Sequence, residues 1–278
     1  MASLILEGGS FRGNFTAGVL DALLMEHIEC SYVIGVSAGI SNGTAYLSKQ
    51  IGRNLEIMDR YRNDPRYEGA MNLKTDHSLF GVKFIYETIP NELLPLDYDT
   101  YASFQGEAYA VVTNAHTGRA EYMDCLRGYQ DNRIFKATCA LPLMFPMVKI
   151  NGEDYVDGGI ADSIPVQKAI LDGQSKHIIV LTRPKGYIKT TDGKTRFAAN
   201  FLKKRYPYLS NAMLRRARMY QEELAFCERL EQDGKAVIIR PNQSWNSMES
   251  NLEHIHAMHQ EGFTITMQNM DRIKNLFK

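Results

Sequence analysis

The amino-acid sequence predicts an α/β fold: a mainly parallel central sheet flanked by helices. Three observations carry that expectation. The chain opens strand, glycine turn, helix, strand, turn, helix, an order that builds a parallel sheet with helices packed on it. Further short apolar runs recur at 108–114, 177–182 and 235–241. Asn151-Gly152, between "MVKI" and "DYVD", reads as a tight hairpin, because both residues readily take positive φ.

Taken in order, "SLILE" (3–7) is a short apolar run ending at two glycines and reads as a buried strand. Asn14 opens a helical pattern in which Val19, Leu20, Leu23 and Leu24 recur at helical spacing to about His27. "SYVIGV" (31–36) is the second strand, and a second helix runs from Ala38 to about Lys49. The segment 50–105 is mixed and polar, with Pro65, Pro90 and Pro95, and is expected to form helices and loops over one edge of the sheet. "AYAVVTN" (108–114), "HIIVLT" (177–182) and "KAVIIRP" (235–241) are strands, and two long helical patterns, 210–232 and 248–276, close the chain. There is no repeat, low-complexity run or linker, so one domain over residues 1–278 is the simplest organisation.

Composition is that of an ordinary globular chain: 278 residues, 44% hydrophobic, 23% charged and zero net charge. The balance is uneven. From Arg183 to Arg218 there are eleven Lys or Arg against one acid, Asp192. The stretch reads either as a solvated face or as a surface that meets anionic membrane; no nucleic-acid reader motif accompanies it, so no nucleic acid is expected. Cys30, Cys125, Cys139 and Cys227 have no short CxxC spacing and read as free thiols, with no zinc site and no redox pair. The start "MASLILEGG" has no secretory pattern, and no run of about 18 apolar residues exists to cross a membrane; the default is a cytoplasmic protein.

Three places could carry chemistry. "GVSAG" (35–39) puts Ser37 at a strand-to-helix turn, flanked by Gly35 and Gly39, where a nucleophile is held in a sharp bend. The competing role is a helix N-cap serine. "EGGSFRG" (7–13) joins the first strand to the first helix. Its amides, over Gly8, Gly9, Ser10, Phe11, Arg12 and Gly13, suit an oxyanion hole. A dinucleotide fingerprint fails there, because Ser10 holds the second required glycine and the next strand ends at Ser37 rather than at an acid. A plain glycine turn is the remaining reading. "DYVDGG" (154–159) ends a strand at Asp157, followed by Gly158 and Gly159; it is either a rigidly held carboxylate or a common Asp-Gly turn.

A Ser…Asp…His triad would need a histidine on a loop after Asp157. His177 begins a strand, at the wrong end, and His254, His256 and His259 lie in the last helix. His27, His77 and His116 precede Asp157 and read as surface or loop residues. Ser37 and Asp157 without a histidine is the pairing the chain supports.

"GGSFRG", "GVSAG" and "DGG", in that order, together with "FTAGVLDAL" and "ATCALPLMFPMV", resemble the patatin-like phospholipase family of lipid acyl hydrolases, in its bacterial members, over about residues 3–182. The resemblance implies the patatin-like variant of the α/β-hydrolase architecture, with a helical C-terminal extension over about 197–278. It implies a Ser-Asp dyad, Ser37 as nucleophile and Asp157 as base, an oxyanion loop at 8–13, and lipid or other acyl esters as substrates. No metal or cofactor is implied. Ser10 replaces the family's third glycine; with positive φ it would strain the loop by about 1 kcal/mol. A non-catalytic lipid-binding or membrane-associated module on the same scaffold is the alternative.

Overall fold

A computed structural model describes residues 2–126 and 132–278. Strand β1 (Ala2–Leu6) leads through the glycine loop to α1 (Gly13–Met25); β2 (Tyr32–Val36) leads through Ser37 to α2 (Ala38–Leu47). The insertion carries α3 (Arg53–Tyr61), α4 (Asn72–Thr75), a π-helical segment (Phe84–Leu93) and α5 (Tyr98–Ala102). Then come β3 (Glu107–Asn114), β4 (Ala120–Asp124), α6 (Arg133–Thr138), β5 (Val148–Ile150), β6 (Glu153–Asp157), α7 (Val166–Leu171) and β7 (Lys176–Val180). The chain closes with α8 (Gly193–Leu202), α9 (Pro207–Gln232), β8 (Ala236–Ile239), α10 (Leu252–Gln268) and α11 (Met270–Asn275).

Among the described residues the strands form one sheet in the order β5-β6-β3-β2-β1-β7-β8, with β4 also paired to β3. β3, β2, β1, β7 and β8 run parallel; β4, β5 and β6 are antiparallel to their neighbours. The parallel strands are mainly apolar because both faces are covered. Leu4, Leu6 and Val33 face α1, α2 and α11, whereas Ile5, Ile34 and Val36 face α7 and α9. The Asn-Gly hairpin forms as expected, with Asn151 at φ 50° and Gly152 at φ 90°.

α10 lies directly on α1. A Cβ on Gly18 would fall 1.9 Å from the His259 carbonyl, and one on Gly262 would fall 2.1 Å from that of Phe15. The two backbones touch only because both residues are glycine. The segment 50–105 lies above the carboxyl ends of the strands as well as towards one edge. Its Tyr67, Phe80, Phe84 and Ile89 cluster with Phe11 and with Ile255 and Met258 of α10, so insertion and C-terminal helix together roof the Ser37 region. The C-terminal part is more than helical: β8 extends the sheet beside β7. All four cysteines are free. No helix among the described residues is long and apolar enough to cross a membrane.

Candidate active site

Ser37 occupies the position before α2 with φ 52° and ψ −129°, and its side chain makes no capping hydrogen bond. The N-cap role is thereby removed. A non-glycine residue in this region of backbone space costs about 1–3 kcal/mol and persists only where its surroundings hold it. Gly39 is one reason it holds: a Cβ there would sit 2.6 Å from the carbonyls of Leu6 and Glu7, so only glycine lets α2 start against the end of β1. Thr138, at the end of α6, is another. Its hydroxyl accepts the Ser37 N–H (2.8 Å) and donates to the Val111 carbonyl of β3 (2.6 Å).

Asp157 ends β6 and is 2% exposed. Its amide donates to the Ala140 carbonyl (2.9 Å), and the Thr113 hydroxyl donates to the Asp157 carbonyl (2.9 Å). Oδ1 accepts the Gly159 N–H at 2.8 Å. Gly158 passes so close to β3 that a Cβ would lie 2.1 Å from the Val111 carbonyl. Burial raises the Asp157 carboxyl above its ordinary pKa; the charge of Arg216, a hydrogen bond from Ser37, the Gly159 amide and the charge of Lys189 oppose the rise. Ser37 and Asp157, 120 positions apart, are thus brought together.

No histidine among the described residues joins them. His177 pairs with Ser3 Oγ (2.8 Å) at the amino end of the sheet. His254, His256 and His259 are bound to Glu249, Asp59 and Asp21. His116 faces Asp154.

The loop 8–13 lies against Ser37: a Cβ on Gly8 would be 3.0 Å from the Ser37 Cβ. Ser10 has φ 52°, the left-handed region where serine is strained. The loop's donors are fewer than the sequence suggests. The Phe11 amide donates to the Ser247 carbonyl (3.3 Å), that of Arg12 to Gly9 (3.1 Å), and that of Gly13 to the Phe11 and Ser10 carbonyls. Phe11 therefore leaves the oxyanion set, and Gly8, Gly9 and Ser10 hold the loop's uncommitted amides among the described residues. Phe11 serves through its ring instead, packed with Tyr67 and Phe80. Glu7 is buried and accepts the Thr182 amide at 2.6 Å, tying the start of the loop to the end of β7.

A cavity of about 220 Å³ opens beside Ser37 on the α2 side. Phe11, Tyr67, Phe80, Tyr86, Leu141 and Phe145 make its wall mainly apolar. Cys139 lines it too; burial raises its thiol pKa, which keeps it protonated beside the Ser37 hydroxyl.

The basic stretch 183–218 divides. Lys194, Arg196, Lys203, Lys204, Arg205, Arg215 and Arg218 lie on α8, α9 and the turn between them, while Arg183, Lys189 and Arg216 are half-buried near the site. Sequence reasoning missed these three, and Thr138, as site residues. Only the density of basic residues pointed to this part of the chain. Met213, Tyr220, Leu224 and Cys227 of α9 face inward.

The family model for patatin-like phospholipases matches residues 4–170, and a model for a domain of unknown function, DUF6363, matches 206–278. The Escherichia coli (strain K12) protein YjjU, named as uncharacterized, is 27% identical over 188 residues, 66% of this chain and 52% of that protein. A protein of Invertebrate iridescent virus 6, named probable lipid hydrolase 463L, is 24% identical over 186 residues, 60% of this chain and 63% of that one. The chain thus spans between about half and two thirds of the length of these relatives. Among solved structures, VipD from Legionella pneumophila aligns over 97% of this chain and 66% of its own, at 13% identity and a TM-score of 0.48. With the family model covering β1 through α7, and so both Ser37 and Asp157, the chain belongs to the patatin-like phospholipase family.

Proposed function

We propose that the protein hydrolyses acyl esters of lipids through a Ser37–Asp157 dyad and an acyl-enzyme intermediate. One observation carries the reading: an uncapped serine on a strained backbone meets a buried carboxylate, while the histidines are held elsewhere. The family, and a relative named as a probable lipid hydrolase, agree with it.

In the first half-reaction Ser37 Oγ attacks the acyl carbonyl and its proton passes to Asp157. The raised pKa makes Asp157 a better base than an exposed carboxylate. The amides of Gly9 and Ser10, with the N-terminus of α2, face the developing oxyanion. Each such donor is worth about 3 kcal/mol. The C–O bond to the leaving alcohol breaks, and the alcohol takes the proton from Asp157. In the second half-reaction Asp157 deprotonates a water that attacks the acyl-serine. The fatty acid departs and Ser37 recovers its proton. The apolar cavity beside Ser37 suits the acyl chain.

The outer part of 183–218 extends the reading to a membrane surface. Phe197 and Phe201 are 67% and 68% exposed and stack on one another, and the exposed Lys203, Lys204, Arg205 and Tyr208 follow them within a few positions in the chain. Aromatic rings that dip into head groups, flanked by cations worth about 1 kcal/mol each near anionic lipid, describe a peripheral contact. The 1–278 chain then works as a single patatin-like unit whose C-terminal extension carries that contact.

The test is a panel of phospholipids and neutral acyl esters offered to wild type, Ser37→Ala and Asp157→Asn. Release of fatty acid by wild type and its loss in both variants, each still folded, is expected. Lipid binding without release would leave a non-catalytic module instead.

A further inference from the structure

Four cations converge on the side of the dyad opposite the acyl cavity. Arg12 comes from the oxyanion loop, Arg183 and Lys189 from the loop after β7, and Arg216 from α9. Arg216 Nη2 would lie 3.1 Å from a Cβ on Gly159, the residue whose amide holds Asp157. The Arg183 guanidinium lies 4.4 Å over the Tyr187 ring, and Lys189 Nζ 4.7 Å over that of Tyr220. The two rings meet edge to face, so the cluster has an aromatic floor.

The cluster lacks partners. Among the described residues none of the four side chains makes an ion pair or donates a hydrogen bond to protein. Arg12 is 8% exposed, yet its Nε has no acceptor; neither have the buried Nε atoms of Arg183 and Arg216. Burying unpaired charge costs several kcal/mol per group unless something compensates. Glu7, Asp157 and the exposed Asp192 are carboxylates within electrostatic reach. Glu7 is committed to the Thr182 amide, Asp157 to the dyad and Asp192 to the Thr195 amide at the start of α8, and four cations outnumber these three acids. The strain shows in the cations themselves: burial, then Arg216, pulls Lys189 down to about 7, and burial, then Arg183, pulls Arg12 down to about 10. Arg216 and Lys189 also act on Asp157, so whatever fills the cluster sits next to the reacting ester.

We infer that Arg12, Arg183, Lys189 and Arg216 form a phosphate-binding site, and that the phosphate is that of a lipid head group whose acyl ester lies at Ser37. Guanidinium groups suit phosphate because their planar donors match its oxygens in pairs, and Lys189 adds a point charge. The substrate would then be held from two sides, chain in the apolar cavity and phosphate in the cationic cluster. The lipid part of this inference rests on the proposed hydrolase activity; the phosphate site itself does not.

The experiment therefore has two arms. In the first, inorganic phosphate is titrated by calorimetry into the Ser37→Ala protein, with and without Arg183→Gln or Lys189→Gln. Binding that both added substitutions weaken roughly tenfold or more, with Arg183→Lys recovering part, is expected. Two variants at different loop positions, each checked by circular dichroism, separate a lost site from a lost fold. In the second arm, kcat/KM is compared for dihexanoyl phosphatidic acid and dihexanoylglycerol, which differ by the phosphate. The phosphate-bearing ester is expected to be preferred roughly tenfold, and Arg183→Gln or Lys189→Gln to erase that ratio. Phosphate binding without preference for the phosphorylated lipid would overturn the head-group source and leave a free-phosphate site. No phosphate binding in the first arm would overturn the site itself, whatever the enzyme hydrolyses. Failure to hydrolyse either ester, with phosphate still bound, would overturn the hydrolase reading alone.

Discussion

Thr138→Val tests how Ser37, the proposed nucleophile, is held. The substitution nearly preserves shape, so it opens no cavity, and Thr138 is fully buried. It removes an acceptor from the Ser37 amide at 2.8 Å and a donor from the Val111 carbonyl at 2.6 Å. A buried N–H left without a partner costs about 1–3 kcal/mol, and the second bond contributes about 1 kcal/mol more. If the Ser37 backbone then relaxes from φ 52°, it recovers part of its strain of about 1–3 kcal/mol. The expected net loss of stability is therefore about 1–3 kcal/mol, which urea denaturation resolves. Relaxation also moves Oγ, and a displacement near 1 Å can cost about 100-fold in rate. Turnover of a soluble ester is expected to fall between about 10- and 100-fold with KM little changed, and Thr138→Ser to restore most of it. Wild-type stability and turnover in Thr138→Val would refute the claim that this hydroxyl fixes the elbow.

Three further outcomes follow from the same geometry. Gly9→Val would place a Cβ 2.8 Å from Thr182 Oγ1; pushing the loop aside is expected to lower kcat much more than it changes KM, and unchanged kcat in a folded variant would remove the loop from the mechanism. As the proposed base, Asp157 works ionised, and its pKa is raised, so activity is expected to be lost as pH falls through that raised value. The acid limb of kcat/KM is then expected above the ordinary aspartate value of about 4, moving further up in Arg216→Gln, whose charge is the largest influence opposing the rise. Sedimentation with anionic vesicles is expected to weaken with added salt and with Phe197→Ser plus Phe201→Ser; binding indifferent to both would leave 183–218 a solvated face.

Much of this fold was legible because its central strands are buried on both faces, which writes them as nearly continuous apolar runs. "SLIL" and "HIIV" need no further signal, and Asn151-Gly152 marks its own turn. β4 was not legible: "AEYMD" is half-exposed along its whole length, pairs only with β3 among the described strands, and has no apolar run. Ser37 and Asp157 could be named from local pattern, since a glycine-flanked turn leaves a local trace. Thr138 could not, because its role exists only once α6 meets β2, 101 residues away in the chain. Arg183, Lys189 and Arg216 were hidden by their neighbours: a dense basic stretch looks like one surface until the fold turns three of its members inward. The Phe11 amide shows the reverse limit. The loop pattern offers it as an oxyanion donor, and Ser247, 236 positions downstream, takes it.

The central claim is that Ser37 is the nucleophile and Asp157 its base. It is tested most directly by treating wild type, Ser37→Ala and Asp157→Asn with a fluorophosphonate and mapping the adduct by peptide mass spectrometry. A single adduct on Ser37, absent from Ser37→Ala and formed far more slowly in Asp157→Asn, is the result this account requires. An adduct on another residue, or labelling at the wild-type rate without the Asp157 carboxylate, would contradict it.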